Sequence, residues 1–317
     1  MLSRLLSGMV LTTLVSASVH AGEVTINKKG DGYRGVWYQN QPLKSEYKFK
    51  YSGGLGTYCA KHKPFAIHCP EVRKTFFCYG GVPADYHKRP ELTVGGIGAR
   101  KTQDALYQDI GKTWQAADGS PLTLPLKAIG NPARIHDYES DGLLVYMKDL
   151  SFDAEGRPIV LFVTSKGYES GPKNDPRTWR IARWTGTEWA LHAITQSDSN
   201  YDMGSLYVES NGQLRIIAPT ETGPQAHNPG GEVTMWVSAD DGKTWQKRKQ
   251  LTQGSPHNHT YVRRPVNAHP DFYALWADGH GRKPSLSRLY FANRNGDVFL
   301  LPEQMDGEFQ KPAAFKP

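Results

Sequence analysis

Cysteine is scarce in this chain. Cys59, Cys69 and Cys78 are the only three, and they fall within 20 residues. One disulfide would leave a thiol over. The stretch CAKHKPFAIHC offers Cys59, His62, His68 and Cys69 as soft metal ligands. A closed zinc site needs four ligands converging in a tetrahedron, and alternating side chains of an extended stretch do not converge. Ordinary buried or paired cysteines are therefore the expectation. Long apolar runs are also missing. Beyond the first 21 residues no segment approaches the roughly 20 apolar residues that cross a bilayer, so no membrane span is expected. Helical periodicity is nearly absent, which points away from helical folds. Low-complexity linkers are absent as well, and so is any sign of a second domain. No RNA- or DNA-binding motif occurs and the basic residues are scattered, so nucleic acid is not an expected partner.

What is present begins with a leader. Arg4 forms a short basic region, Met9 to Val15 is apolar, and Val19-His20-Ala21 fits a small-residue cleavage site. Residues 1–21 are thus expected to be a secretory signal, with residues 22–317 a single exported domain, secreted or periplasmic. The chain carries 38 Lys+Arg against 31 Asp+Glu. In an exported protein that surplus suits an acidic polysaccharide drawn by electrostatic attraction.

Glycine and proline are abundant, 32 and 21 residues, and punctuate short β-rich runs. GLLVYMKDLSFDAEGRPIVLFVTSKG reads strand, turn, strand, and WRIARWTGTEWALHAI is a second hairpin around Thr185-Gly186; together they make one four-stranded unit over 134–195. Residues 200–251 form the next unit and 259–302 a third. GYRGVWY and KTFFCYGG are N-terminal strand candidates, and 82–98 has no strong periodicity. A recurrence of roughly 45 to 60 residues suits the blades of a β-propeller, so the predicted class is all-β.

SADDGKTW, residues 238–245, specifies a tight hairpin. Asp240 can accept backbone N–H groups, Gly242 supplies a positive φ, and Trp245 buries an apolar face under the turn. YQDIGKTW at 107–114 is a near-copy that keeps Asp109, Gly111, Thr113 and Trp114. The pair resembles the Asp-box, or bacterial neuraminidase (BNR) repeat, of propeller rims. It speaks for architecture and not for activity.

Aligning the first strands of the three units gathers polar and aromatic residues near what would be one mouth of a propeller channel. The candidates for substrate binding are Tyr138, Tyr201, His259, Tyr261, Arg263 and Arg264. Tyrosine offers a face and a hydroxyl to sugar, and arginine a fork for carboxylate or sulfate. A metal reading uses His136, Asp202 and His259, with His269 or His280 as a fourth ligand. Imidazoles plus a carboxylate suit zinc. No cofactor is required by the sequence, and a structural zinc or calcium ion is the one considered.

GYRGVWYQNQP, KYSGGLGTYCAKHKP, KTFFCYGG, IHDYESDGLLVYMKDLSFD, VTSKGYESGPKNDPRTW, NYDMGSLY and NHTYVRRPVNAHPDFYALWADGHGR cover most of the chain after the leader. They resemble the BNR-repeat-containing family that includes the seven-bladed ulvan lyases. The resemblance implies a secreted propeller acting on an acidic, sulfated polysaccharide, with β-elimination next to a uronic acid in members that are enzymes. That chemistry needs the carboxylate neutralised, a His or Tyr to take the C5 proton, and a proton donor for the leaving O4. This sequence departs from the family between KTFFCYGG and YQDIGKTW. The family's HDNP-like segment and the strands after it, which carry the expected base and neutraliser, have no counterpart in residues 82–106. The units left amount to four or five blades, and no catalytic residue is carried over. A noncatalytic carbohydrate-binding propeller is the alternative. A sialidase-type hydrolase is a further one, to which YVRRPV is a faint echo of the Phe-Arg-Ile-Pro signature.

Overall fold

The computed structural model describes residues 32–54, 57, 66–77, 116, 118, 120–121, 132–201 and 203–316. The leader, Cys59, Cys78, Asp202, the YQDIGKTW copy and 82–98 lie outside the described residues.

The described chain is all-β, built from several antiparallel sheets. Its N-terminal strands are β1 (Gly35–Pro42), β2 (Phe49–Gly54), β3 (Ala66–Cys69) and β4 (Lys74–Phe77). The first large sheet holds β5 (Leu144–Phe152), β6 (Pro158–Ser165), β7 (Arg177–Trp184) and β8 (Trp189–Ser197), hydrogen-bonded in chain order. The second holds β9 (Ser205–Val208), β10 (Leu214–Glu221), β11 (Glu232–Ser238) and β12 (Gln246–Gln250). The remaining strands are β13 (Asn258–Arg263), β14 (Ala274–Gly279), β15 (Leu286–Ser287), β16 (Leu289–Ala292), β17 (Val298–Leu300) and β18 (Ala313–Phe315). The third large sheet has the order β13-β14-β16-β17-β18. These three sheets fall on the three units expected from the sequence, and the third gains β18 at its outer edge.

The second strand of each large sheet is buried almost throughout, and in the third sheet β13 is as well. PIVLFVTS of β6 and ALWADG of β14 are buried throughout, and LRIIAPTE of β10 is buried up to its last residue. Such strands read as continuous apolar runs because both faces meet another layer. Side chains alternate across a strand. Leu214, Ile216 and Ala218 therefore pack with Ile159, Leu161, Val163, Trp179 and Ile181 of the first sheet. Ile217 points the other way, into a core with Val262, Ala274, Trp276 and Tyr290 of the third sheet. On the far side of the third sheet, Leu275, Ala277 and Leu289 enclose Tyr33. The sheets thus stack face to face, and each buried Leu, Ile or Val adds about 1.5 to 3 kcal/mol. Pro219 sits inside β10 next to a register shift at Glu221, where a residue without an N–H can be absorbed. The outer strand β12 is exposed or half-buried along its length.

The hairpin joining β11 to β12 is the SADDGKTW turn. Thr244 donates its N–H to Asp240 Oδ1 at 2.9 Å and its hydroxyl to Oδ2 at 2.6 Å. Gly242 has φ +85° and donates to Ser238 Oγ at 2.9 Å. The Trp245 indole donates to the Gly242 carbonyl at 3.0 Å while its rings pack against the first–second sheet core. These bonds are all spent within the turn.

The N-terminal strands tie distant parts of the chain together. β1 pairs at its start with β15, through Gly35–Ser287 and Val36–Leu286, and then with β2. Tyr33 donates its N–H to the Pro302 carbonyl at 2.8 Å. The β3–β4 hairpin rests on the 266–269 segment, with His68 N–H bonded to the Val266 carbonyl at 2.8 Å. No helix among the described residues is long and apolar enough to cross a membrane.

Candidate functional site

Four tyrosines and a lysine from distant chain positions converge beside β2. Tyr51 of β2 meets Tyr201 edge-on, with ring centroids 4.4 Å apart. Tyr146 of β5 meets the same Tyr201 ring at 5.2 Å. Lys50 places its Nζ 4.2 Å from the Tyr168 centroid, 4.9 Å from that of Tyr51 and 5.9 Å from that of Tyr201. Tyr168 is 50% exposed, so the platform opens to solvent there.

A dense polar layer holds this platform. Asn200, just before Tyr201, donates Nδ2 to Ser165 Oγ at 2.8 Å and to the Gly167 carbonyl at 3.0 Å. The buried Lys148 ammonium donates to the Asn200 carbonyl at 2.5 Å. Ser170 donates to the Phe49 carbonyl at 2.9 Å, fastening the Tyr168 loop to β2. Arg177, fully buried, donates to the Glu169 and Gly171 carbonyls at 3.0 and 2.8 Å and pairs with Asp175. The loop that carries Tyr168 is therefore held at several points.

Next to it lies a second group. Tyr47 meets His227 edge-on at 5.7 Å, and the Arg282 guanidinium lies 5.2 Å from the Tyr47 centroid. Arg282 donates to Asn228 Oδ1 at 2.7 Å and the Ala226 carbonyl at 2.8 Å, and Asn228 donates to the Tyr47 carbonyl at 2.7 Å. His227, with φ +60°, donates its N–H to Asp198 Oδ2 at 2.8 Å, and its Nδ1 lies 3.9 Å from Asp175 Oδ2. Burial raises the Asp198 carboxyl above its ordinary range despite the His227 N–H.

Electrostatics decide what the platform can do. Burial, reinforced by the neighbouring Tyr146 and Tyr51, pushes the Tyr201 phenol well above its ordinary value, and burial raises Tyr146 likewise. Both phenols are neutral at pH 7. They donate hydrogen bonds and present ring edges and faces, and they resist becoming phenolate bases. Lys50 supplies a positive charge at the open side. The arrangement can stack a sugar ring, donate to its hydroxyls and attract a carboxylate or sulfate.

The residues predicted from sequence separate into several places. Tyr201 lies in the platform. Tyr261 and Arg263 lie behind it: a β-carbon on Gly53 of β2 would collide with the Tyr261 ring, and Arg263 donates Nε and Nη2 to the Thr57 carbonyl at 3.0 and 2.9 Å. Both are buried and act as supports. Arg264 is half-buried, 3.7 Å from Asp149 Oδ2. Tyr138 packs with Phe162 and Met147, on the face of the first sheet opposite to Tyr146. The sheet therefore separates Tyr138 from Tyr201.

The metal candidates His136, His259, His269 and His280 each have partners of their own, and Asp202 lies outside the described residues. His136 is exposed and its Nε2 lies 2.7 Å from Asp141 Oδ2. His259 is fully buried in the third sheet, and both its ring nitrogens are taken. Trp276 Nε1, which can only donate, meets Nδ1 at 3.0 Å, so the proton sits on Nε2 and is donated to Ser255 Oγ at 2.9 Å. His269 accepts the Asp271 N–H and His280 the Arg282 N–H on Nδ1. Among the described residues no group of three His, Cys, Asp or Glu could hold a metal ion. Sequence reading missed Lys50, Tyr51, Tyr146 and Tyr168. Each stood in a quoted segment, but they lie on separate segments and no local signal brings them together.

No protein-family model matches the chain, and no curated protein matches it by sequence. Among solved structures it is similar to a polysaccharide lyase of family PL25, an ulvan lyase, and to a PL25 ulvan lyase bound to -[GlcA(1-4)Rha3S]-. In both comparisons the identity is 18% and the TM-score 0.42, over 61% of this chain and 40% of the other. The resemblance is distant, and the chain spans well under half the length of the lyases it matches.

Proposed function

We propose that this chain is an exported, ulvan-lyase-like β-propeller that binds an acidic, uronic-acid-containing polysaccharide on the Lys50–tyrosine platform. In this reading the three large sheets are blades of one domain over residues 22–317, and the leader directs export. The observation that carries the binding function is Lys50, surrounded by Tyr51, Tyr168 and Tyr201 at 4.2 to 5.9 Å on a surface that opens to solvent. A cation among aromatic rings serves an anionic sugar better than a neutral one. The reading stops at binding, because a β-elimination base must give up its proton near neutral pH and burial opposes this in Tyr146 and Tyr201.

Affinity electrophoresis through gels containing ulvan or neutral dextran tests this. Ulvan should retard the protein, dextran should not, and Lys50→Ala should weaken retention by about tenfold, the order expected for one charge-assisted contact. No ultraviolet-absorbing unsaturated uronide should form. Equal retention of the parent and Lys50→Ala, or none of the parent, overturns the proposal. Formation of unsaturated uronide makes the chain a lyase.

A further inference from the structure

The Arg282 guanidinium beside Tyr47 carries a charge that its own hydrogen bonds leave in place. It donates Nε to Asn228 Oδ1 and Nη2 to the Ala226 carbonyl, and both acceptors are neutral. Among the described residues no carboxylate pairs with it, and Nη1 has no hydrogen-bond partner. Neutral acceptors thus fix the direction of the group, and the Nη1–Nη2 end of its fork is left for an anion. Lys283, the next residue, is exposed and likewise in no ion pair among the described residues. Burial, and after it the positive charge of Lys283, holds the neighbouring His280 imidazole below its ordinary value of 6.5, with Arg282 acting in the same direction. Three acids stand near Tyr47 and His227. Asp175 is taken by Arg177, Asp198 accepts the His227 N–H, and Glu46 is exposed and faces the Tyr47 hydroxyl. None of the three forms an ion pair with Arg282 or Lys283.

The loop that carries these two cations is fixed to the platform. The His280 N–H bonds Ser285 Oγ at 2.8 Å, the Gly281 N–H bonds Gln225 Oε1 at 3.3 Å, and the Arg282 N–H bonds His280 Nδ1 at 3.1 Å. The Gly281 carbonyl accepts Asn228 Nδ2 at 3.4 Å and the Ser52 hydroxyl at 3.5 Å, and Ser52 lies in β2 next to Tyr51. A β-carbon on Gly281 would stand 2.8 Å from Asn228 Cβ, so this close approach needs a glycine. From the other side, a β-carbon on Gly171 would stand 2.7 Å from Tyr47 Cε2, so the Tyr47 ring lies against the loop that carries Tyr168. Tyr47 is therefore in contact with both loops. It is three residues from Lys50, so their Cα atoms lie within roughly 11 Å, a span that neighbouring sugars of one polymer can bridge.

We propose that Arg282, with Tyr47 beside it and Lys283 next in the chain, is a second anion subsite of the glycan site: it takes the carboxylate or sulfate of one sugar while Lys50 holds the anionic group of another sugar in the same polymer. The inference rests on the proposed function and deepens it. Two subsites on one polymer reinforce each other, so the site selects chains that carry charge on successive sugars over sparsely charged ones. The probes are polygalacturonate, with carboxylates only, and dextran sulfate of high and of low substitution, with sulfates only. Retention is measured by affinity electrophoresis at several salt concentrations, on protein checked by thermal unfolding. The parent should be retained more strongly by the highly substituted dextran sulfate than by the sparse one. Arg282→Gln/Lys283→Gln should weaken retention roughly tenfold by at least one of the two densely charged polymers, lessen the preference for high substitution and flatten the salt dependence. The polymer that loses retention identifies the anion. The charge-matched pair Lys243→Gln/Arg248→Gln, on the exposed SADDGKTW hairpin and β12, should behave like the parent. Should the first pair unfold, Lys283→Gln alone carries the test, with a weaker loss expected.

The subsite is overturned if its variants are retained by both polymers as the parent is, or if the two pairs lose retention equally, which would mean bulk charge alone. A parent that holds sparse and dense dextran sulfate equally also overturns it. A loss with Lys50→Ala but not with the Arg282 and Lys283 variants leaves the platform standing without the subsite. The reverse pattern leaves an anion site at Arg282 and removes the platform.

Discussion

Trp276 donates its indole N–H to His259 Nδ1 at 3.0 Å, and this bond fixes which way a buried chain of polar groups runs. His259 then donates to Ser255, and Ser255 and Thr252 donate their hydroxyls to the buried Glu232 carboxylate at 2.9 and 2.5 Å. A histidine expected at a binding surface instead orders the loop between the second and third sheets.

His259→Ala should therefore lower stability by roughly 2 to 4 kcal/mol, from a cavity and from partners left unsatisfied. Ulvan retention of the folded fraction should stay unchanged. Urea unfolding and affinity electrophoresis on one preparation separate the two effects, and a binding loss without a stability loss would return His259 to the site.

Acid should weaken the parent fold through the same residue. Burial holds the His259 imidazole below its ordinary value of 6.5, and burial lowers His257 and His280 in the same direction. The unfolded chain then binds more protons than the folded one below about pH 6.5, so stability rises with pH through that window and falls as pH drops beneath it. Urea midpoints at pH 7.5 and 5.5 should differ in the parent and differ less in His259→Phe.

The turn carboxylate Asp240 titrates lower. Hydrogen bonds from the Thr244 hydroxyl and N–H and from Ser238 bring its carboxyl down to about 2. Its contribution is complete above the ordinary carboxyl value of 3.8 and disappears as pH falls toward 2. Asp240→Asn should lower the urea midpoint at pH 7, flatten its dependence below pH 4, and leave polysaccharide retention alone.

Glu209 is a buried carboxylate whose neutralisation should be costly. Its two oxygens serve Arg215 at 2.8 Å, Arg294 at 2.5 Å and the Tyr273 hydroxyl at 2.9 Å in a buried setting. Glu209→Gln leaves two guanidinium groups short of their counter-charge, and breaking a buried pair typically costs about 3 to 5 kcal/mol. Differential scanning calorimetry should show a clear fall in Tm, and an unchanged Tm would mean solvent already screens the cluster.

Tyr201→Phe probes the platform with little change in packing. The ring contacts with Tyr51 and Tyr146 remain, and one hydroxyl is lost. Weakening of a uronate oligosaccharide by about 0.5 to 1.5 kcal/mol is expected in calorimetric titration. Tyr168→Ala, which removes the most exposed ring, should weaken it at least as much.

Local sequence determined the sheets and their turns. Alternation and runs in LVYMKDLSF, PIVLFVTS and LRIIAPTE depend on residues a few positions apart, and so does the Ser238–Asp240–Thr244 hydrogen-bonding of the turn; these were legible because backbone pairing and turn chemistry act at short range. Tyr201, a few residues before β9, and the supporting Arg263, the last residue of β13, were also named from the sequence. The platform itself was decided by tertiary structure. Lys50, Tyr146, Tyr168 and Tyr201 lie on separate segments and meet only because the Tyr168 loop is bonded to Phe49 and Asn200 is bonded to Ser165 and Gly167. Tertiary packing likewise turned His259 inward, where the Trp276 and Ser255 partners and the third-sheet core consume both nitrogens, and it put Tyr138 on the opposite face of a sheet from Tyr201. A strand's period sets which residues share a face, but which face meets water depends on what the next sheet covers.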